Sequence, residues 1–243
     1  MLSTHVFLSE VIGTFVLILM GAGVCANVAM KGTLGSAAGW ISISFGWGLA
    51  VFCGVWVSAP SGAHLNPAVT LGLMVNSDAA ELAPGVDKTI VNALLYILAQ
   101  FIGAFLGAVT AWLAYKKHFD DEQNHGKVLG VFSTGPAIRS YGWNVVSEVI
   151  GTFVLVFVIG GFGGTPHGLG PLAVGLLVVA IGLSLGGATG YAINPARDLA
   201  PRIAHAILPI PNKGSSDWAY SWVPVVGPLI GGTLGGLAVA FLL

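Results

Sequence analysis

The sequence predicts an all-α membrane protein with six transmembrane helices and two half-helices in an inverted repeat. Three observations predict it. First, the 243 residues are 55% hydrophobic and only 8% charged, with a mean hydropathy of +0.87; soluble domains carry roughly 25% charged residues. Second, no Asp, Glu, Lys or Arg occurs from Gly32 to Ser77, from Thr89 to Tyr115, from Val149 to Ala196, or from Trp218 to Leu243. About 20 apolar residues suffice to span a bilayer. Third, the chain repeats itself: the nine residues Ser9–Leu17 recur as Ser147–Leu155, and Asn66-Pro67-Ala68 recurs as Asn194-Pro195-Ala196.

The first span runs from about 7 to 30, and no Lys or Arg precedes it. It therefore reads as a retained span rather than a cleaved signal. The second runs from about 36 to 58. Asn66-Pro67-Ala68 follows, deep in apolar sequence. Asn caps helices and Pro suits their first position, so a half-helix is expected over 66–75. Ten residues give about 15 Å, half the hydrocarbon thickness. The third span covers 89–115. The second half reads alike, with spans near 145–162, 171–189 and 219–242 and a half-helix from about 194 to 204. Ile102-Gly103 and Leu106-Gly107 recur as Ile230-Gly231 and Leu234-Gly235, at the 128-residue offset of the Asn-Pro-Ala copies. Three crossings per half put the second half's start on the opposite side. The repeats are then inverted, and one half-helix enters from each face. A single transmembrane domain, 1–243, is expected, with repeats at about 1–118 and 143–243 joined by an extramembrane loop. The alternation of a β-barrel is absent.

Other features exclude more than they assign. A net charge of −1 gives no reason to expect nucleic acid. Cys25 and Cys53 both lie in apolar spans and form no metal or disulfide pattern. His5, His118, His125, His167 and His205 are scattered. No metal, no cofactor and no nucleophile–base pair is expected, hence no enzyme. Glycines spaced by three or four, such as Gly103 and Gly107 or Gly227, Gly231 and Gly235, read as close helix contacts. The loop 116–142, with Lys116, Lys117, Asp120, Asp121, Glu122 and Lys127, reads as solvated. Lys88 is the clear loop cation on the face carrying the termini. Lys31, Lys116, Lys117, Lys127, Arg139 and Lys213 fall on the other. The positive-inside rule alone puts the termini outside.

Breaking a helix in lipid leaves backbone groups unpaired unless they line a watery cavity or are buried in protein. The segments 61–65 and 189–193 are expected to be such backbone, with Gly62, Ala63, His64, Gly190 and Ala192 lining a pore. Two half-helices aim positive dipole ends at the centre, and the Asn66 and Asn194 amides offer N–H donors there. A neutral hydroxyl-bearing solute fits; protons and other cations do not. Arg197 is an intramembrane cation at the third position of its half-helix, where the first half has Val69. It is expected to face the pore. Asp198 and Arg202, four apart, suit an ion pair that leaves Arg197 for solute. Glu10 and Glu148 read either as proton-coupling carboxylates or, the preferred reading, as acceptors that hold the irregular backbone of their own halves. His64 stays open between solute contact and loop support.

Ser61-Gly-Ala-His-Leu-Asn-Pro-Ala-Val-Thr70, Gly190-Tyr-Ala-Ile-Asn-Pro-Ala-Arg-Asp198 and the two glutamates carry a resemblance. The sequence resembles the aquaporin family, the major intrinsic proteins, along essentially its whole length. That resemblance implies an aquaporin-like fold, a homotetramer in which each monomer has its own pore, a cell-membrane location and cytoplasmic termini, against the cation count. Asp198 directly after Asn-Pro-Ala-Arg, and Pro228 followed by Leu229, resemble the glycerol-conducting aquaglyceroporin branch. Carried over by position, the narrow filter is Trp47, Gly182, Tyr191 and Arg197; placing Trp47 needs a one-residue deletion before Ser61. Water-selective relatives have His where Gly182 stands, so Gly there implies width. Trp47 and Tyr191 are expected to form an apolar corner, with Arg197 and carbonyls taking the hydroxyls. The branch has Phe at the Tyr191 position, and the extra hydroxyl adds a polar group to the filter. The implied function is passive conduction of glycerol and small uncharged solutes, with some water. Within the same fold, the alternatives are a water channel or a channel for a neutral organic acid such as lactic acid. From another class, the alternative is an ion-coupled secondary transporter using Glu10 or Glu148.

Overall fold

The computed structural model describes residues 3–126, 128–162 and 168–243; Lys127 of the long loop and His167 lie outside them. Ten helices follow in order among these residues: α1 (Thr4–Ala29), α2 (Trp40–Val57), α3 (Pro67–Val75), α4 (Ile90–Ala114), α5 (Lys116–Phe119), α6 (Leu129–Phe132), α7 (Tyr141–Gly161), α8 (Pro171–Leu185), α9 (Pro195–Ile207) and α10 (Val223–Leu242). A small antiparallel hairpin, β1 (Glu81–Ala83) and β2 (Val86–Asp87), sits between α3 and α4. Five helices, α1, α2, α4, α7 and α10, are long and apolar enough to cross a membrane. The sixth crossing is α8, apolar and 15 residues long.

Element ends differ from the sequence reading where backbone turns hide in apolar sequence. α2 starts four residues later than 36. Ala37 and Gly39 take φ of +63° and +88°, and the Asn27 side chain accepts the Gly35 N–H at 3.1 Å, so this stretch forms turns. α8 stops at Leu185 rather than 189. A Cβ at Gly186 would lie 2.5 Å from Cδ1 of Tyr191, so the chain turns there against the segment that re-enters the fold. α9 runs to Ile207, three residues beyond the expected end, and carries Pro201 inside it.

Packing is inverted relative to a soluble protein. The buried face of α1 includes Ser9, Glu10, Gly13, Thr14, Gly21 and Ala22 beside Leu17 and Ile18, while Leu8 and Ile12 are exposed. Lipid solvates large apolar side chains as well as protein does, so membrane interfaces favour small residues that bring backbones close. A Cβ on Gly103 or Gly107 of α4 would lie 2.3 Å from Val11 O or 2.6 Å from Phe15 O of α1. The repeated pair does the same: a Cβ on Gly231 or Gly235 of α10 would lie 2.4 Å from Val149 O or 3.0 Å from Phe153 O of α7. Duplicated glycines thus make duplicated contacts. Gly103→Val is expected to lower stability by about 3 kcal/mol or more, since overpacking against backbone finds no flexible neighbour. Gly23→Ala, where nothing lies within 4 Å, is expected to change little. Thermal unfolding of the detergent-purified variants compares the two.

The segment 116–140 corrects the expectation of a solvated loop. Its charged half is partly that, with Lys116 and Asp120 paired at the surface. Phe119 is nonetheless buried there, and the apolar half folds inward: Val128, Val131, Phe132, Ser133 and Thr134 are buried. α6 packs on α1 and α9.

Candidate functional site

The two half-helices α3 and α9 begin tip to tip. Asn66 and Asn194 are their N-caps, with Pro67 and Pro195 at the first helical position. Asn66 Oδ1 accepts from Ala68 N at 2.8 Å; Asn194 Oδ1 accepts from Ala196 N at 3.0 Å and Arg197 N at 3.2 Å. Each side-chain amide then reaches across the repeat. Asn66 Nδ2 donates to Ile193 O at 2.7 Å, and Asn194 Nδ2 donates to Leu65 O at 2.8 Å. One N–H of each amide is therefore structural. An amide NH2 has two, so one donor per Asn remains for a solute.

Ahead of each tip the backbone takes the same unusual path. Gly62, Ala63 and Leu65 have φ of +72°, +53° and +53°; their counterparts 128 positions on, Gly190, Tyr191 and Ile193, have +82°, +40° and +44°. For residues with a Cβ this costs about 1–2 kcal/mol each, so something must hold it. Glu10 Oε1 accepts from Leu65 N and from Gln100 Nε2 (2.8 Å), and Oε2 accepts from Ser61 Oγ at 2.6 Å. Glu148 Oε1 accepts from Thr189 Oγ1 at 2.6 Å and Ala192 N at 3.0 Å, and Oε2 from Ile193 N at 2.8 Å. Both carboxylates are fully inside the protein, and all four of their oxygens are engaged with their own half's loop or its support.

A cavity of about 170 Å³ runs along these tips. Its lining combines the polar side chains of Asn66, Asn194, His64 and Arg197 and the 62–65 and 191–193 segments with the apolar Leu17, Val51, Leu155 and Val178. Arg197 donates from Nη1 to Phe132 O at 3.2 Å, and its guanidinium carbon stands 3.8 Å from the centroid of the Trp47 ring. Trp47 Nε1 in turn points at Cys25 Sγ, 3.3 Å away. His64 has both nitrogens occupied: Nε2 donates to Leu82 O at 2.8 Å, Nδ1 meets Thr70 Oγ1 at 3.0 Å, and the ring stacks on Tyr96. His64 thus ties the first loop to the β-hairpin while lining the cavity.

The match to known proteins is unambiguous. A family model described as major intrinsic protein covers residues 2–239. The chain belongs to the major intrinsic protein family. It is 54% identical over 233 residues to glycerol uptake facilitator protein 3 of Lactiplantibacillus plantarum, spanning 95% of this chain and 93% of that protein. It is 55% identical to the glycerol uptake facilitator protein of Bacillus subtilis over 95% of this chain and 82% of that one. A solved structure, the aquaglyceroporin from Plasmodium falciparum, superposes with a TM-score of 0.79 at 33% identity, covering 98% of this chain and 96% of its own. The aquaporin-like fold of this major intrinsic protein is thereby shown.

Of the residues read from sequence, Trp47, Tyr191, Arg197, Asn66, Asn194, Gly62, Ala63, His64 and Ala192 come together on one cavity. Gly182 and Gly190 stand back from it. Gly190 packs on Thr134, which a Cβ would approach to 3.2 Å, and Gly182 lies behind the Tyr191 ring. The expectation that Gly182 leaves width is therefore corrected: Tyr191 takes the space. Arg197 lines the cavity, gives one of its five N–H groups to Phe132 O and lays its face on Trp47, which leaves further donors for a solute. Three participants were missed. The Phe132 carbonyl arrives from α6, whose apolar run 128–132 was its one sequence signal. Gln100 was legible as a lone amide in an apolar span. The Leu82 carbonyl sits on a hairpin whose Pro84-Gly85 turn, with Gly85 at φ +76°, is a sequence signal for the turn but not for a partner of His64.

Asp198 and Arg202 form the expected pair, at 2.8 Å and with no exposure. Asp198 Oδ2 also accepts Thr134 N and Thr134 Oγ1, both at 2.7 Å. Arg202 donates to Ser216 O, Asp217 O and Thr134 O. The pair clamps two loops onto α9 and so holds the Phe132 carbonyl over Arg197. Asp198→Ala strands a buried cation, and removing one partner of such a pair costs about 3–5 kcal/mol. A large fall in melting temperature is expected, partly recovered in Asp198→Ala/Arg202→Met, as read by thermal unfolding in detergent.

Proposed function

We propose that this major intrinsic protein is a passive membrane channel, not an enzyme, conducting glycerol and other small uncharged solutes with some water. The observation that carries the proposal is the mixed lining of the cavity. Arg197 and the Asn66 and Asn194 amides bring hydrogen-bond donors to it, and Leu17, Val51, Leu155 and Val178 bring apolar surface. A polyol has hydroxyls on one side and carbons on the other, so it can exchange water for these groups step by step. Conduction requires each step to be weak. The names of the relatives, glycerol uptake facilitators at 54% and 55% identity, support glycerol as the solute.

We extend the proposal to the assembly. The chain is one transmembrane domain, with repeats 1–118 and 143–243, in a homotetramer embedded in cell-membrane lipid with cytoplasmic termini. Family resemblance supports this orientation over the small cation bias of the loops. Ion coupling through Glu10 or Glu148 is disfavoured, because every carboxylate oxygen already holds loop backbone or its support. Stopped-flow light scattering on proteoliposomes tests the solute. Glycerol is expected to equilibrate much faster than in empty vesicles, and without saturation. Glycerol rates equal to empty vesicles, with fast water or lactic acid flux, would instead select one of those solutes.

A further inference from the structure

The Tyr191 side chain faces two ways. The residue lines the cavity, yet its hydroxyl oxygen has almost no accessible surface. That oxygen lies in a niche of the wall. An added Cβ on Gly182 would be 2.8 Å from Tyr191 Cζ, 2.9 Å from its hydroxyl and 3.0 Å from Ser44 Oγ. Ser44 is fully buried and, like Gly182, does not line the cavity. Neither hydroxyl makes a hydrogen bond among the described residues, and each has the other as the polar group beside it. Around them the ring is fixed. Trp40 packs edge-on at 5.7 Å between centroids and donates from Nε1 to Gly182 O at 2.8 Å. Gly186 admits Cδ1 of the ring where a Cβ would fall 2.5 Å away.

We propose that Ser44 is a specificity-determining residue: with Gly182 it forms a niche that withdraws the Tyr191 hydroxyl from the conduit, so that Tyr191 presents only an aromatic ring to the solute. The inference deepens the glycerol-channel reading and rests on it. A buried hydroxyl needs a polar neighbour, and Ser44 supplies one where the wall is otherwise glycine and aromatic ring. A Tyr at this position then behaves toward a polyol's carbon side as an apolar surface. Its polarity reappears only when the niche is filled.

The test is the glycerol-to-water permeability ratio in proteoliposomes, which a mere loss of folded channels leaves unchanged. Ser44→Val fills the niche and removes its oxygen. The displaced hydroxyl narrows and wets the constriction, and the ratio is expected to fall at least fivefold. Adding Tyr191→Phe removes the group that had to be stowed, and the ratio is expected to return to within twofold of the parent. Should Ser44→Val fail to yield monodisperse protein, Gly182→Ala closes the niche from the other wall and takes the same partner substitution. A Ser44→Val ratio equal to the parent's, or one that stays equally low in the double variant, overturns the proposal. Parent vesicles that pass no glycerol would overturn the solute assignment instead. In that event the variants' water permeability carries the niche test, with the same fall and recovery expected.

Discussion

Glu148→Ala is expected to yield no folded channel. The carboxylate receives two backbone N–H groups, from Ala192 and Ile193, and the Thr189 hydroxyl, all buried. Alanine leaves these three donors without an acceptor in a place water does not reach. Each stranded group costs about 1–3 kcal/mol, and hydrogen bonds to a charged partner sit at the upper end. The combined loss, about 3–9 kcal/mol, is comparable to the whole stability of a typical protein. The loop it releases also carries Tyr191 and Ile193 at positive φ, and that backbone relaxes once the anchor is gone. Glu148→Gln separates charge from geometry. Its one oxygen can still accept, but its NH2 confronts at least one donor, so a folded protein with at least tenfold lower glycerol flux is expected. Size-exclusion profiles in detergent and stopped-flow flux read the two variants. Alanine-variant protein that is monodisperse and conducts normally would remove Glu148 from the loop's support.

The second large effect is on selectivity. Arg197→Ala is expected to fold but to pass what the parent rejects. The guanidinium is a buried cation on the cavity, spread over the Trp47 face at 3.8 Å and tied to the Phe132 carbonyl. Removing it empties the space between Trp47 and α6 and leaves the Phe132 carbonyl to water from the cavity. It also removes a fixed positive charge in a low-dielectric passage, where such a charge acts strongly on cations. Permeability to five- and six-carbon polyols is expected to rise at least tenfold relative to glycerol, and a proton leak is expected to appear. Iso-osmotic solute-swelling assays with a graded polyol series measure the first. A size cutoff identical to the parent's would take Arg197 out of the filter.

Much of this site was legible because duplication and lipid both constrain sequence severely. Asn66 and Asn194, with proline after each, could only start helices at depth, and they do. Glu10 and Glu148 had to be held by something, and the loops on which they act are the ones expected. Asp198 and Arg202 pair at the helical spacing that suggested it. What stayed hidden depends on contacts between distant segments. Phe132 lies 65 positions from Arg197 and acts through a backbone oxygen, which no side-chain pattern encodes. The charges of 116–127 drew the whole loop toward solvent on paper, although the following 128–132 is apolar and turns inward. The role of Gly182 also could not be read. A missing side chain signals space, but only the structure says that the space belongs to the Tyr191 ring. Turns such as 36–39 and 186–189 are composed of Gly, Ala, Ser and Thr that hydropathy merges with the neighbouring spans.

Two half-helices with opposed positive ends, as proposed here, would let neutral solutes through a hydrated passage while repelling protons. Proton entry into vesicles already shown to pass glycerol measures this most directly, using an internal pH dye and a potassium diffusion potential as the driving force. The dye trace is predicted to superimpose on that of protein-free vesicles. A proton flux that scales with the amount of channel reconstituted would contradict the account.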